Sequence, residues 1–82
     1  MPLTAELSLY PLREDYARVV LAFIELLSRD RGLRVETSAT STRLSGDYDA
    51  VMDAVREALR ESQAKFGDQV LVCKFLPMAL AD

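Results

Sequence analysis

The first part of the chain alternates strictly between apolar and polar side chains. Residues 3–10 carry Leu or Ala at the odd positions and Thr, Glu, Ser or Tyr at the even positions, which predicts a strand with one apolar face. After Pro11 the apolar residues recur at helical spacing as far as Leu27. Asp15 stands where an N-cap is expected, and Gly32 is expected to end this helix.

The second half of the chain repeats this order of patterns. Residues 33–38 alternate again, a polar turn follows at 39–41, and residues 42–45 predict a third strand. Asp47 is expected to cap a second helix, which Gly67 ends, and residues 69–76 predict the last strand. The order β-α-β-β-α-β predicts one ferredoxin-like α+β domain over residues 1–82, with a four-stranded antiparallel sheet and both helices on one face.

The last strand is apolar on both faces. Val70 and Val72 point one way, and Leu71, Cys73 and Phe75 point the other way. The helices cover only one face, and half of the residues are hydrophobic, so we expect subunits to pack on the bare face as a homodimer or homotetramer, with Leu71 and Phe75 among the contacts. The alternative is an edge strand with a few exposed hydrophobic residues.

Charge and composition exclude several partners. The net charge is −3, and Lys and Arg are scattered, so the chain lacks the basic stripe that nucleic-acid binding requires. The apolar run at residues 19–24 is too short to insert into a membrane, and the chain starts without a signal-peptide pattern. A single cysteine, Cys73, fits a reducing compartment, so we expect a cytoplasmic protein.

The absence of histidine excludes most familiar catalytic sites. With no His and one Cys there is no Ser-His-Asp or Cys-His nucleophile and no ordinary zinc site, so we expect no catalytic residues, no metal and no cofactor. The segment between the first strand and the first helix has no glycine and two acids, which makes it a poor phosphate loop. A small enzyme that uses Tyr10 and an acid for proton transfer is the less favoured alternative.

Hydroxyl groups are concentrated near the predicted turn. In a ferredoxin-like sheet the segment TSATST forms a hairpin next to the first strand, and its hydroxyls both donate and accept hydrogen bonds, which suits a neutral heteroaromatic ligand. Tyr10 or Tyr48 is placed to stack on such a ring, and a nearby acid would suit a cationic one. Alternatively, these residues are polar positions on a solvated face, and Asp47 is only a cap. The candidate residues are Ser8, Tyr10, Ser38, Thr40, Ser41, Thr42 and Asp47.

Several segments together resemble the YkoF-like family of thiamine- and hydroxymethylpyrimidine-binding proteins. These are SLYPL followed by DY, then GLRVETS, then ST-L-GD before a helix that begins YDAVMDAV, between about Ala5 and Lys74. The resemblance implies ferredoxin-like domains that bind the aminopyrimidine part of thiamine and serve its salvage or transport. It implies ligand contacts from Ser8 and Tyr10 in the first strand and from Ser38, Ser41 and Thr42 in the hairpin, to which we add Asp47.

We therefore expect a non-catalytic, oligomeric binding protein for thiamine or its hydroxymethylpyrimidine part. A ligand-free structural or regulatory oligomerisation module is the alternative from a different class. The chain departs from the family pattern after SLYPL, where Arg13 and Glu14 replace the Gly that is common in the family.

Overall fold

A computed structural model describes residues 1–29 and 31–79. It contains the six predicted elements in the predicted order, and this confirms the ferredoxin-like α+β fold. The elements are β1 (Pro2–Pro11), α1 (Tyr16–Leu27), β2 (Arg34–Thr37), β3 (Thr42–Asp47), α2 (Tyr48–Phe66) and β4 (Gln69–Leu76).

The four strands form one antiparallel sheet in the order β2-β3-β1-β4. β1 therefore lies inside the sheet, and its register fixes both ends of the molecule. Pro2 pairs with Asp47 at one end of β3, and Leu7 pairs with Thr42 at the other end. On its other side, β1 pairs with β4 from Thr4 opposite Leu76 to Pro11 opposite Gln69.

The core lies between the sheet and the two helices. The odd positions of β1 up to Leu7 are almost completely buried, as the alternation predicted, because they face the helices. Each helix buries a stripe at helical spacing against them. The buried core residues are Leu3, Ala5, Leu7, Val19, Phe23, Leu27, Leu44, Val51, Ala54, Val55 and Ala58.

The two faces of β4 are the reverse of what we expected for subunit contacts. Leu71 and Cys73 pair with Leu9 and Leu7 of β1 and pack against the core, so the odd positions of β4 lie on the helix side. The outer face instead carries Val70 and Val72, each 49% exposed. The assignment of Leu71 and Phe75 to the outer face was wrong, because a strand that is apolar on both sides does not reveal its orientation until it is paired.

The ends of α2 follow the predicted signals, and those of α1 follow them in part. The Asp47 carboxylate accepts a hydrogen bond from the Ala50 backbone N–H at 3.4 Å, and Gly67, with φ of +82°, ends α2. Asp15 occupies the N-cap position of α1 but makes no capping hydrogen bond with its side chain. α1 ends at Leu27, with Ser28 as its C-cap, so the expectation that Gly32 ends the helix was wrong.

The Asp15 carboxylate is held by two arginines instead. It accepts hydrogen bonds from Arg18 at 2.8 Å and from Arg13, and these bonds hold the pKa of Asp15 below its usual value. Both guanidinium groups also lie over the Phe66 ring, within 5.5 Å of its centroid. This cluster fastens the start of α1 to the end of α2.

Neither helix is suited to cross a bilayer. α1 has only 12 residues, and the 19 residues of α2 include many charged side chains, so no helix in the described part of the chain is both long and apolar enough to span a membrane.

Candidate functional site

A cleft of about 620 Å³ opens at one end of the molecule, beside α1. One wall is the N-terminal part of α1, the second is the C-terminal half of β1, and the third is the β2–β3 hairpin at residues 37–42. The register brings these parts together, because Leu7 of β1 pairs with Thr42, the first residue after the turn.

α1 contributes an apolar wall because its hydrophobic surface is wider than the core requires. Val19, Phe23 and Leu27 are buried against the sheet, whereas Val20 and Ile24 are only half-buried and line the cleft. Exposed apolar side chains border the same cavity, namely Tyr10, Tyr16 and Leu21. A partly open apolar wall of this kind is typical of a small-molecule site.

All of the candidate residues except Asp47 line this one cleft. Ser8 and Tyr10 lie on the β1 wall, and the hairpin wall carries Ser38, Thr40, Ser41 and Thr42. The tertiary structure therefore gathers hydroxyl groups from two separate segments of the sequence.

Two of these hydroxyl groups are already used to hold the hairpin. The Ser8 hydroxyl donates to the Thr40 carbonyl at 2.9 Å and so ties β1 to the turn. The Ser38 hydroxyl donates to the Ser41 carbonyl at 3.2 Å and accepts from the Ser41 backbone N–H at 3.2 Å. The hydroxyl groups of Ser8 and Ser38 therefore stabilise the position of the hairpin, and they are less available for hydrogen bonds to a ligand.

Thr42 and Tyr10 have uncommitted hydroxyl groups. Thr42 is only 5% exposed, yet its hydroxyl makes no hydrogen bond to any described residue. In the described part of the chain, Arg31 Nη1 is the one fully buried side-chain nitrogen or oxygen without a hydrogen-bond partner, so the Thr42 hydroxyl oxygen is not fully buried. Thr42 is also among the residues that line the cleft. The Tyr10 hydroxyl also lacks a hydrogen bond to a described residue, including any carboxylate.

Asp47 does not belong to this cleft. It pairs with Pro2, whereas the hairpin begins opposite Leu7, five residues or about 16 Å further along β1. Its carboxylate caps α2 and lies 3.8 Å from the N-terminal amino group of Met1. The expectation that Asp47 would join the hydroxyl groups is not met, because β3 carries it to the opposite end of the sheet.

The cleft is electrically neutral. Among the described residues that line it, none is Asp, Glu, Lys or Arg. No group of three or more potential metal-binding side chains occurs among the described residues of the whole chain. The cleft can therefore offer apolar contact and hydroxyl hydrogen bonds, and it is suited to an uncharged, flat ligand with polar edges.

A second cleft, of about 660 Å³, lies on the outer face of the sheet at the other end. It contains Asp47 together with both acidic and basic residues, among them Glu36 and Arg43. These charged side chains are largely solvated and they form ion pairs along the sheet, so this cleft lacks the apolar wall found beside α1.

Part of the α1 wall was not predicted from the sequence. In the sequence, Val20 and Ile24 belong to the same helical stripe as Phe23, so the pattern does not distinguish them from core residues. Thr37 and Tyr16 also line the cleft and were not proposed. The available signal was the width of the apolar surface of α1, which exceeds a single buried stripe.

The fold and the cleft define a ferredoxin-like domain with an open, hydroxyl-lined cavity beside its first helix. The chain belongs to the YKOF-related family, whose sequence profile matches residues 3–76. This confirms the family resemblance seen in the sequence motifs. No curated protein matches the chain.

Solved structures with the same fold come from bacteria and archaea. A Thermotoga maritima protein assigned provisionally to thiamine biosynthesis or salvage is 25% identical, with a TM-score of 0.80 over 92% of this chain and 82% of its own. A hypothetical protein of Methanocaldococcus jannascii is 28% identical, with a TM-score of 0.81 over 99% and 84%. A Streptococcus pneumoniae protein has a TM-score of 0.88 at 21% identity, covers 98% and 90%, and shows the shared fold alone.

Proposed function

We propose that this protein binds thiamine, or its hydroxymethylpyrimidine part, in the cleft beside α1 and serves thiamine salvage or transport in the cytoplasm. Membership of the YKOF-related family and the thiamine assignment of the Thermotoga maritima relative support the ligand class. The single cysteine and the absence of a membrane-spanning helix among the described residues are compatible with this location.

The observation that carries this proposal is the uncharged lining of the cleft. An aminopyrimidine ring is flat and neutral and has both donors and acceptors on its edge, so it matches apolar walls and hydroxyl groups. Thr42 supplies an uncommitted hydroxyl on the hairpin wall, and Tyr10 supplies a second one near the mouth. The cationic thiazolium of thiamine finds no acid in the described lining, so we propose that it stays towards solvent.

We also propose that binding is not accompanied by catalysis. Proton transfer by Tyr10 would require a base within hydrogen-bond distance, and no described carboxylate hydrogen-bonds its hydroxyl. The Asp15 carboxylate, just before α1, accepts hydrogen bonds from two arginines and is not among the residues that line the cleft.

Isothermal titration with hydroxymethylpyrimidine and with thiamine tests the proposal. We expect both compounds to bind saturably with similar affinities, because the pyrimidine ring makes the contacts. Val20→Glu places a charge in the apolar wall and should abolish binding of both. If neither compound releases heat or raises the melting temperature, the proposal is wrong, and the ligand-free oligomerisation module becomes the better interpretation.

A further inference from the structure

Three kinds of group that bind phosphate in proteins lie close to the cleft beside α1. These are basic side chains, the backbone N–H groups of a tight turn and the N-terminus of a helix. Arg13 and Arg18 lie on either side of Tyr16 in the sequence. The turn at residues 38–41 forms one wall of the cleft, and α1 begins at Tyr16, which lines it. Whether the cleft accepts a phosphorylated ligand therefore depends on what these groups already bind.

The two arginines contact Asp15 and the end of α2 instead of the cleft. The Asp15 carboxylate accepts hydrogen bonds from Arg18 at 2.8 Å and from Arg13 at 3.1 Å. Both guanidinium groups lie over the Phe66 ring, and Arg13 also donates to the Phe66 carbonyl at 3.3 Å. Neither arginine is among the residues that line the cleft, and residues 30 and 80–82, outside the described ranges, include no Lys or Arg. No side-chain cation is therefore placed to pair with a phosphate in the cleft.

The backbone N–H groups of the turn are used within the turn itself. The N–H of Ser41 donates to the Ser38 hydroxyl at 3.2 Å, and the N–H of Thr40 donates to the same oxygen at 3.4 Å. The N–H of Ser38 donates to the Ser41 carbonyl at 2.8 Å. An anion-binding turn needs such N–H groups to converge on the ligand, so this hairpin offers hydroxyl groups but no anion site.

The N-terminus of α1 already has an anion beside it. Asp15 occupies the N-cap position, and Glu14 precedes it in the chain. Two arginine hydrogen bonds hold the pKa of Asp15 below its usual value, so its carboxyl group is ionised at neutral pH. A phosphate that approached the N–H groups of the first turn would meet this carboxylate, and the repulsion opposes the attraction of the helix dipole.

We propose that the cleft binds the pyrimidine ligand in its unphosphorylated form and discriminates against the phosphate ester of its hydroxymethyl group. This selectivity rests on the proposed function and adds the phosphorylation state that the site recognises. The hydroxymethyl carbon is the atom that joins the pyrimidine to the thiazolium in thiamine, so it points to the mouth of the cleft. A phosphate on it lies among Tyr10, Tyr16 and Leu21, which displace water from the dianion and supply no positive charge in return.

Isothermal titration with four compounds tests this selectivity. They are hydroxymethylpyrimidine, its monophosphate, thiamine and thiamine monophosphate. We expect the Kd of hydroxymethylpyrimidine monophosphate to be at least about tenfold higher than that of hydroxymethylpyrimidine, because a desolvated charge without a partner weakens binding. Thiamine monophosphate should bind within about threefold of thiamine, because its phosphate lies beyond the thiazolium, where water solvates and screens it.

A cation placed at the mouth should weaken the discrimination. Leu21 lines the cleft and is 63% exposed, so Leu21→Arg adds a positive charge there without disturbing the core. The ratio of the Kd of the pyrimidine monophosphate to that of the free pyrimidine should fall by at least about threefold. Leu21→Gln removes the same apolar side chain without adding charge, and it should keep the wild-type ratio. Glu25→Gln makes the same change in net charge at an exposed residue of α1 outside this cleft, and it should also keep that ratio.

The possible results distinguish this selectivity from the proposed function. Equal Kd values for hydroxymethylpyrimidine and its monophosphate would refute the selectivity and leave the pyrimidine site in place. If Glu25→Gln lowers the ratio as much as Leu21→Arg does, the net charge of the protein controls it and the cleft lining does not, which also refutes the proposal. If none of the four compounds binds, the proposed function fails, and the selectivity fails with it.

Discussion

Thr42→Val should separate ligand binding from stability. The substitution preserves the shape of the side chain and removes the hydroxyl, which makes no hydrogen bond to a described residue. The free energy of unfolding should therefore change by no more than about 0.5 kcal/mol. A hydrogen bond from this hydroxyl to the ligand is worth about 0.5–1.5 kcal/mol, so the Kd for hydroxymethylpyrimidine should rise by about 2–12-fold.

Thr4→Val is the matched control in the same sheet. Thr4 is fully buried on the outer face, and its hydroxyl donates to the Met78 carbonyl at 3.0 Å. Its loss leaves a carbonyl without this donor and should lower the free energy of unfolding by about 1–3 kcal/mol. Thr4 does not line the cleft beside α1, so the Kd should stay at the wild-type value.

Isothermal titration and thermal unfolding of both variants complete the test. For a domain of this size, about 1 kcal/mol corresponds to a shift of about 4–8 °C in Tm, so the two effects are easy to resolve. The reasoning fails if Thr42→Val destabilises the protein as much as Thr4→Val does, since its hydroxyl would then be structural. It also fails if Thr42→Val binds the pyrimidine as tightly as the wild type.

Three further outcomes follow from particular contacts. Gly46→Ala should lower the free energy of unfolding by about 1–3 kcal/mol in a denaturant titration, because Gly46 has φ of +156°, a backbone conformation that L side chains rarely adopt. The new Cβ would also displace the end of the Leu33 side chain, and an unchanged midpoint would contradict this strain. Burial raises the pKa of the Cys73 thiol, so at pH 8 Cys73 should react with a thiol reagent more slowly than free cysteine does. Equal rates would show that the fold does not shield this thiol. Arginine hydrogen bonds lower the pKa of Asp15, so its contribution to stability is present above the usual value of 3.8 and is lost as the pH falls through the lowered pKa. The Tm of Asp15→Asn should therefore fall less on acidification than that of the wild type. If the plots of Tm against pH run parallel for the two proteins, the Asp15 carboxylate does not stabilise the fold in this way.

The local features of this fold were predictable because they depend on neighbours in the chain. The alternation of residues 3–10 showed which side of β1 would be buried, and Asp47 and Gly67 marked the ends of α2. The bounds of β4 agree with the predicted residues 69–76. Together these signals allowed few topologies other than the observed one.

The tertiary structure alone decided which polar groups meet and which remain free. The hydroxyl groups of β1 and the hairpin share one cleft because Leu7 pairs with Thr42, and Asp47 is excluded because the same register carries it to the other end of the sheet. Residue type does not show that Ser8 and Ser38 are bonded within the protein while Thr42 is not, since each hydroxyl has the same capacity.

The orientation of β4 was undetermined for a similar reason. Its apolar residues occupy both faces, so the sequence by itself determined that a strand is present but not which face the helices cover. Pairing of Cys73 with Leu7 settled this, because cross-strand partners lie on the same side of a sheet. Strand pairing between distant residues depends on the whole fold, whereas helix caps and alternation depend only on local sequence.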